Sequence, residues 1–330
     1  MAFATLVEEY RGNQLENIHQ GIVCVIDQHK QIVYKKGDVT QSVFYRSALK
    51  PIQAIPAFLT GVAEKYNLND QEAALMMASQ RGETYQQEAL ETFMKKLNVT
   101  EEQLVCSASY PLNEKPKNEY IWNHKQPRKL FHNCAGKHLG FLAYAKEKGY
   151  DSQNYGDYAH PLQKDLRATL ANMCDLDESD INAGVDGCGV PNYSVPLKNM
   201  AISYLKFGMP QLCEEGKLQK AVTQIGDLMQ ASPEIIASHD FICTELLRDP
   251  NIIAKGGAQG VYCLTLKKEK LGIALKVLSG SELVWPVLVA ELLEKLEYDN
   301  QETIDRLLRL RSHDIKNDGG KIVGHTKVLL

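Results

Sequence analysis

Gly21-Ile22-Val23-Cys24-Val25-Ile26-Asp27, then a polar Gln28-His29-Lys30 turn, then Gln31-Ile32-Val33-Tyr34, reads as a β-hairpin, and the change of pattern on its C-terminal side decides the fold. Strand signals vanish there. Residues 47–248 carry mostly helical periodicity, with amphipathic segments near 70–80, 85–97, 138–148, 160–174 and 212–247, broken by a polar irregular loop at 107–129. Short β-like runs return at 252–254, 261–266 and 272–278, before a helix near 281–296 and a last strand at 321–330. Early and late strands therefore share one sheet. The predicted class is α+β: an antiparallel sheet from N- and C-terminal strands, flanked by helices, with a large mostly helical insert, rather than a doubly wound fold. The chain reads as a single domain, residues 1–65 and 250–330 holding the sheet and 66–249 the mainly helical part. No internal repeat or low-complexity linker interrupts it.

With 330 residues, 44% hydrophobic and 24% charged, the chain can bury a substantial core. A net charge of -4 without a basic run argues against nucleic acid or anionic membranes as partners and favours small molecules. Glu8 and Glu9 follow only a short apolar run, and no apolar segment approaches the ~20 residues of a membrane helix. A soluble, cytoplasmic protein is expected.

The eight cysteines form no Cys-x-x-Cys pair and lack the density of a disulfide scaffold. Cys24 and Cys263 lie in strand-like runs and read as packing residues. Cys134 and Cys188 sit among glycines and polar residues instead, in Asn133-Cys134-Ala135-Gly136-Lys137-His138 and Gly187-Cys188-Gly189. Cys134 and Lys137 stand one turn apart at a helix start, so two thiols and an amine could converge on a soft metal or a nucleophilic centre.

Arg46-Ser47-Ala48-Leu49-Lys50-Pro51 places a hydroxyl and an amine three residues apart where a helix begins. A serine there is helped by the helix dipole as it becomes an alkoxide, and a desolvated lysine can serve as its base. The same residues serve equally as an N-cap and a solvated lysine. The spacing also occurs at Ser203 and Lys206, inside an apolar helix, where it reads as inert. Three further blocks put reactive side chains beside small residues: Ala78-Ser79-Gln80-Arg81-Gly82-Glu83, Gly184 to Pro191 with Asp186 and Cys188, and Lys255-Gly256-Gly257-Ala258-Gln259-Gly260.

Taken with Arg11-Gly12, Glu16 and His19, this ordered set of blocks resembles the thermolabile L-asparaginase II family, the rhizobial-type asparaginases, nearly end to end. The resemblance implies a fold similar to serine β-lactamases and serine glutaminases, and an L-asparagine amidohydrolase that releases L-aspartate and ammonia. It implies two serine–lysine pairs, Ser47 with Lys50 and Ser79 with Lys255, with Ser47 the first choice of nucleophile and the choice between the serines open. Arg46, Gln80 and Asp186 are the implied substrate contacts, with Asp186 for the α-ammonium and Arg46 for the carboxylate. Cys134, Lys137 and Cys188 match the family's zinc ligands, one ion per chain with water as fourth ligand, and His138 is expected to face elsewhere. Relatives being dimers, a homodimer is expected. Gln80 stands where the family has a histidine, Ala135 where it has a serine and Gln259 where it often has an acid. Rivals are a serine-type L-glutaminase, one methylene different in substrate, and a catalytically silent zinc-binding protein. A penicillin-recognising acyl enzyme would carry an export signal.

Overall fold

The computed structural model describes residues 2–330. Eleven strands lie among them: β1 (Ala4–Arg11), β2 (Gln14–Ile26), β3 (Ile32–Lys36), β4 (Ser42–Phe44), β5 (Asn182–Val185), β6 (Pro191–Pro196), β7 (Ile252–Gly256), β8 (Val261–Leu266), β9 (Leu271–Val277), β10 (Asp314–Lys316) and β11 (Ile322–Val328). The chain divides into two compact units. One comprises residues 2–48, Val195–Gly208 and Asp240–Leu330; the other comprises Leu49–Ser194 and Met209–His239.

The first unit is built on a sheet of order β10-β11-β1-β2-β9-β8-β7, with β3 also on β2 and the pairings antiparallel. β2 joins the ends of the chain: residues 14–21 pair with β1, and residues 21–26 pair with β9. Where β2 changes partners, a Cβ on Gly21 would lie 2.0 Å from the Lys276 carbonyl oxygen, so glycine is required for the close approach. The hairpin to β3 forms as its sequence suggests, its turn held by Asp27, whose carboxylate accepts from the His29 and Gln31 N–H groups at 2.9 Å.

β8 is buried along its whole length, because both faces are covered. Tyr262 meets Trp285 of the helix Trp285–Lys295 on one face, while Thr265, on the other, faces Gly208 at the end of the helix Leu197–Gly208. The C-terminal helix Gln301–Leu310 is anchored by Asp249, whose carboxylate accepts from Tyr298, Thr303 and Asn300 at 2.7, 2.6 and 2.9 Å.

The second unit packs helices Pro161–Cys174, Lys217–Ala231 and Ala135–Lys148 around Lys50–Leu59, which is buried from Lys50 to Phe58. Pro51 falls in its first turn, where no backbone donor is lost. The α+β class holds, with differences of detail, the first being that strands β5 and β6 fall within the stretch read as helical. β1 and residues 14–20 escape the sequence pattern because Glu8, Glu9, Arg11 and Glu16 blur the alternation. The polar stretch at 107–129 contains a helix, Glu114–Trp122, which buries little beyond Pro116 and so lacks an apolar stripe. The helix Gln301–Leu310 goes unread although Thr303, Ile304 and Leu307 line its buried side. Among the described residues no helix is long and apolar enough to cross a membrane.

Burial pushes the Asp249 carboxyl up, but hydrogen bonds from Thr303, the Asn251 N–H, Tyr298 and Asn300 outweigh it and hold the group below its ordinary value. A depressed native value stabilises the fold above the unfolded carboxyl value, so this contribution begins to fall near about pH 4 and is lost as pH drops through the lower folded value. Asp249→Ala should cost about 2–4 kcal/mol in urea unfolding at neutral pH, and the deficit against wild type should shrink on acidification.

Candidate active site

In the helical unit, chemistry gathers around the first residue of the central helix. The Lys50 ammonium group, 1% exposed, donates to the Ala78 carbonyl at 2.7 Å, to Ser79 Oγ at 3.0 Å and to the Asn133 carbonyl at 3.2 Å. Those three bonds account for all three hydrogens of an ammonium. Lys50 is thus paired with Ser79, a pairing different from the one that sequence spacing suggests. Burial lowers the Lys50 pKa; charge on Cys134 opposes this and charge on Lys137 adds to it.

The helix Ala135–Lys148 can approach because its first turns carry glycine. A Cβ on Gly136 would lie 2.2 Å from the Leu75 carbonyl oxygen, and one on Gly140 2.9 Å from Met76. These contacts set residues 133–134 against the 75–77 turn that leads into Ser79. The segment after Ser79 is irregular and heavily braced. Ser79 N–H donates to the Ile236 carbonyl at 2.8 Å, and Gln86 accepts from Arg81 N–H at 2.9 Å. Gln80 is fully buried; its amide hydrogens go to the Phe131 and His132 carbonyls at 2.8 and 2.9 Å, and its oxygen accepts from Gly82 N–H at 2.7 Å. Its amide therefore braces backbone instead of presenting itself to substrate as the sequence suggests.

Cys134, Lys137 and Cys188 lie together. Lys137 Nζ lies 3.1 Å from Cys188 Sγ, and all three residues are buried. A hydrogen bond from Cys188 draws the Cys134 thiol well below its usual value against the cost of burial; the same bond and burial drive Cys188 up. Burial pulls Lys137 down, but the two sulfurs outweigh it and hold its pKa above the ordinary lysine value. Cys188 is delivered by a tight turn in which Asp186 N–H bonds to the Val190 carbonyl and Gly189 N–H to the Asp186 carbonyl, both at 2.9 Å. Two thiols and an amine fit the donor set of a soft divalent ion, provided the metal displaces the lysine proton. Among the described residues no group of three or more His, Cys, Asp and Glu assembles, and the third donor here is a lysine. His138 points its Nδ1 at Tyr155 Oη, 2.7 Å away. It packs against Phe141 and Tyr155, and burial holds its pKa well below the usual value.

The remaining candidates belong to the sheet unit. Lys255, 1% exposed near the end of β7, donates to the Gly256 carbonyl at 2.7 Å. A Cβ on Gly257 would lie 2.5 Å from the Tyr45 carbonyl oxygen and 3.3 Å from Arg46 Cβ, so glycine lets the Tyr45–Arg46 backbone press against the end of β7. Arg46 adopts φ +52°, a conformation that costs a non-glycine residue about 1–3 kcal/mol. Ser47 follows, in the turn Arg46–Leu49. Ser203 is fully buried and donates to the Met200 carbonyl at 2.7 Å, consistent with an inert role. Sequence reasoning passes over the carbonyls of Ala78 and Asn133, because backbone acceptors carry no side-chain signature; Asn133 enters it only as the residue before Cys134.

The family model for L-asparaginase II matches residues 7–328. No curated protein sequence matches the chain. Similar solved structures include a β-lactamase from Mycobacterium bovis, 14% identical over 83% of this chain and 94% of that one, TM-score 0.41. A putative β-lactamase from Bacteroides dorei is 11% identical over 83% and 92%, TM-score 0.44, and a Bacillus glutaminase is 13% identical over 85% and 92%, TM-score 0.39.

Replacing Gln80 by alanine should strand two buried carbonyls and one N–H. The expected cost is about 2–4 kcal/mol in chemical denaturation, and unchanged stability would refute the bracing role.

Proposed function

Because the chain belongs to the L-asparaginase II family and is a hydrolase acting on amides, we propose that it hydrolyses L-asparagine to L-aspartate and ammonia with a serine–lysine pair beside a zinc site. The observation that carries this reading is the contact of the buried Lys50 Nζ with the partly buried Ser79 Oγ, 3.0 Å. Carbonyls only accept, so those of Ala78 and Asn133 fix two N–H bonds of Lys50 whatever its charge. The third position faces Ser79, whose hydroxyl accepts from an ammonium or donates to a neutral amine. Lys50 and Ser79 can therefore exchange a proton without moving.

In the proposed reaction, Ser79 Oγ attacks the side-chain amide carbon as its proton passes to Lys50. Collapse of the tetrahedral intermediate breaks the C–N bond, and the leaving nitrogen takes the proton back and departs as ammonia. Water then hydrolyses the aspartyl ester by the reverse proton path. Ser47 supports a second reading of the nucleophile, since it lies three residues before Lys50 in the turn that opens the helix and is partly exposed. By charge, Asp186 suits the α-ammonium and Arg46 the carboxylate of the substrate.

Cys134, Lys137 and Cys188 would hold the zinc ion. When bound, it supplies a Lewis-acidic, positively charged centre. The protein's own part is to keep three donors buried and converged.

Ammonia release from L-asparagine and L-glutamine, measured in parallel, tests the assignment. Lys50→Met should lower asparagine turnover about 1000-fold or more in folded protein, and whichever of Ser79→Ala and Ser47→Ala removes the attacking hydroxyl should do the same. Turnover that survives in Lys50→Met ends the serine–lysine reading. Discrimination against glutamine should be about 10- to 200-fold, and a glutamine preference would make the protein a glutaminase.

A separate expectation concerns the metal. Protein purified without chelator should carry one zinc per chain by elemental analysis, and Cys188→Ser should carry much less at unchanged helical content. Equal zinc in both would remove Cys188 from the ligand set.

A further inference from the structure

The sheet unit contains a second hydroxyl aligned with a base. Ser279, exposed in the turn after β9, has its Oγ 2.8 Å from His19 Nδ1. The other ring nitrogen, Nε2, lies 3.3 Å from Glu9 Oε2. His19 and Glu9 are each 8% exposed. Glu9 is itself fixed: Asn17 Nδ2 donates to Oε2 at 3.1 Å, and Arg311 forms an ion pair with Oε1.

Donor and acceptor rules set the direction of this chain. An ionised carboxylate only accepts, so Nε2 carries the imidazole hydrogen toward Glu9. Nδ1 then presents its lone pair, and the Ser279 hydroxyl donates to it. The carboxylate orients the base, and the base addresses the hydroxyl, which is the arrangement that turns a serine into a nucleophile, with the roles of the two ring nitrogens exchanged relative to the chymotrypsin order. The parts come from separate strands, β1 for Glu9 and β2 for His19 and Asn17, and their register explains the meeting: Val7 pairs with His19 and Glu9 with Asn17. The Ser281 N–H points at Ser279 Oγ from 3.3 Å, and Gly280, at φ +77°, permits that turn. Exposed Leu278 and Leu283 flank the serine in the chain and offer apolar surface.

We propose that Ser279, His19 and Glu9 form a second nucleophilic centre that hydrolyses small carboxylic esters with good leaving groups. Ser279 Oγ bonds to the ester carbonyl carbon while its proton moves to His19 Nδ1. The acyl C–O bond breaks, the leaving oxygen taking that proton where it needs one. Water, giving its proton to His19, then releases the acid and restores the serine.

The test uses the full-length protein carrying Ser47→Ala and Ser79→Ala, so that neither hydroxyl proposed for amide hydrolysis contributes. Turnover of 4-nitrophenyl acetate should persist in this background, fall about tenfold or more on adding Ser279→Ala, and fall similarly with His19→Gln. A fluorophosphonate probe followed by peptide mass spectrometry should place its adduct on Ser279. Asparagine turnover by the Ser279→Ala single variant should match wild type, which shows that the variant folds and separates this centre from the amidase. Ester turnover that vanishes with Ser47→Ala and Ser79→Ala alone would assign it to the amidase site and overturn the proposal, as would an adduct absent from Ser279.

Discussion

A lysine amine held out of water by three oxygens is the constraint on which the helical unit is organised. Lys50 reaches Ala78, Ser79 and Asn133, segments 28 to 83 residues away in sequence. Taking an ammonium out of water is expensive, and only such well-placed acceptors offset it. The surrounding architecture serves that placement. Gly136 admits a helix to within contact of the Leu75 backbone, and Gln80 ties residues 131–132 to the loop that carries Ser79. A larger residue at 136, or a shorter one at 80, would disturb the oxygens around Lys50 before it touched any reacting group.

The sheet unit meets a different constraint, the closure of a sheet from distant ends of the chain. β2 is long enough to pair with β1 along its first half and β9 along its second. Its buried half is uniformly apolar because neighbouring strands and a covering helix leave no wet face, whereas residues 14–18 are exposed and mostly polar. The same logic leaves β8 buried along its whole length and β7, which bears Lys255, at the end of the strand order.

This contrast explains what the sequence disclosed. Runs buried on both sides, such as residues 21–26 and 261–266, announce themselves by composition, and the helical middle by period; from these the α+β class follows. Elements that bury little apolar surface, or set charges among their apolar positions, leave weaker traces, as with the helix Glu114–Trp122 and β1. Around Lys50, residue types are legible: Cys134, Lys137 and Cys188 stand out because reactive groups among glycines are unusual in a packing role, Ser79 because it closes an apolar run beside small residues, and Lys50 because it stands three residues after Ser47 at a helix start. Partners are not. Spacing suggested Ser47 for Lys50, yet the third acceptor of Lys50 in its own unit is Ser79, because the loop that returns it is shaped by Gln80 and Gln86 through backbone bonds that no motif records. Gln80 shows the converse: a residue singled out as polar near the site is consumed by the backbone it supports.

The two serines with adjacent bases, Ser79 and Ser279, differ in what chemistry their surroundings allow. Amide hydrolysis requires the base to return its proton to a poor leaving group, so the base must hold that proton where it can pass to the nitrogen as the C–N bond breaks. Lys50 is suited to this, since two of its hydrogens are pinned by carbonyls and the third travels along one line to Ser79. His19 has a single carboxylate behind it and an exposed hydroxyl in front, and the nearby Ser281 N–H aims at Oγ instead of at the place where an oxyanion would form. An ester with a stable leaving group tolerates such a site, because its departing oxygen needs little protonation. The amide bond does not, and the division of labour between the two proposed centres rests on that difference in leaving group.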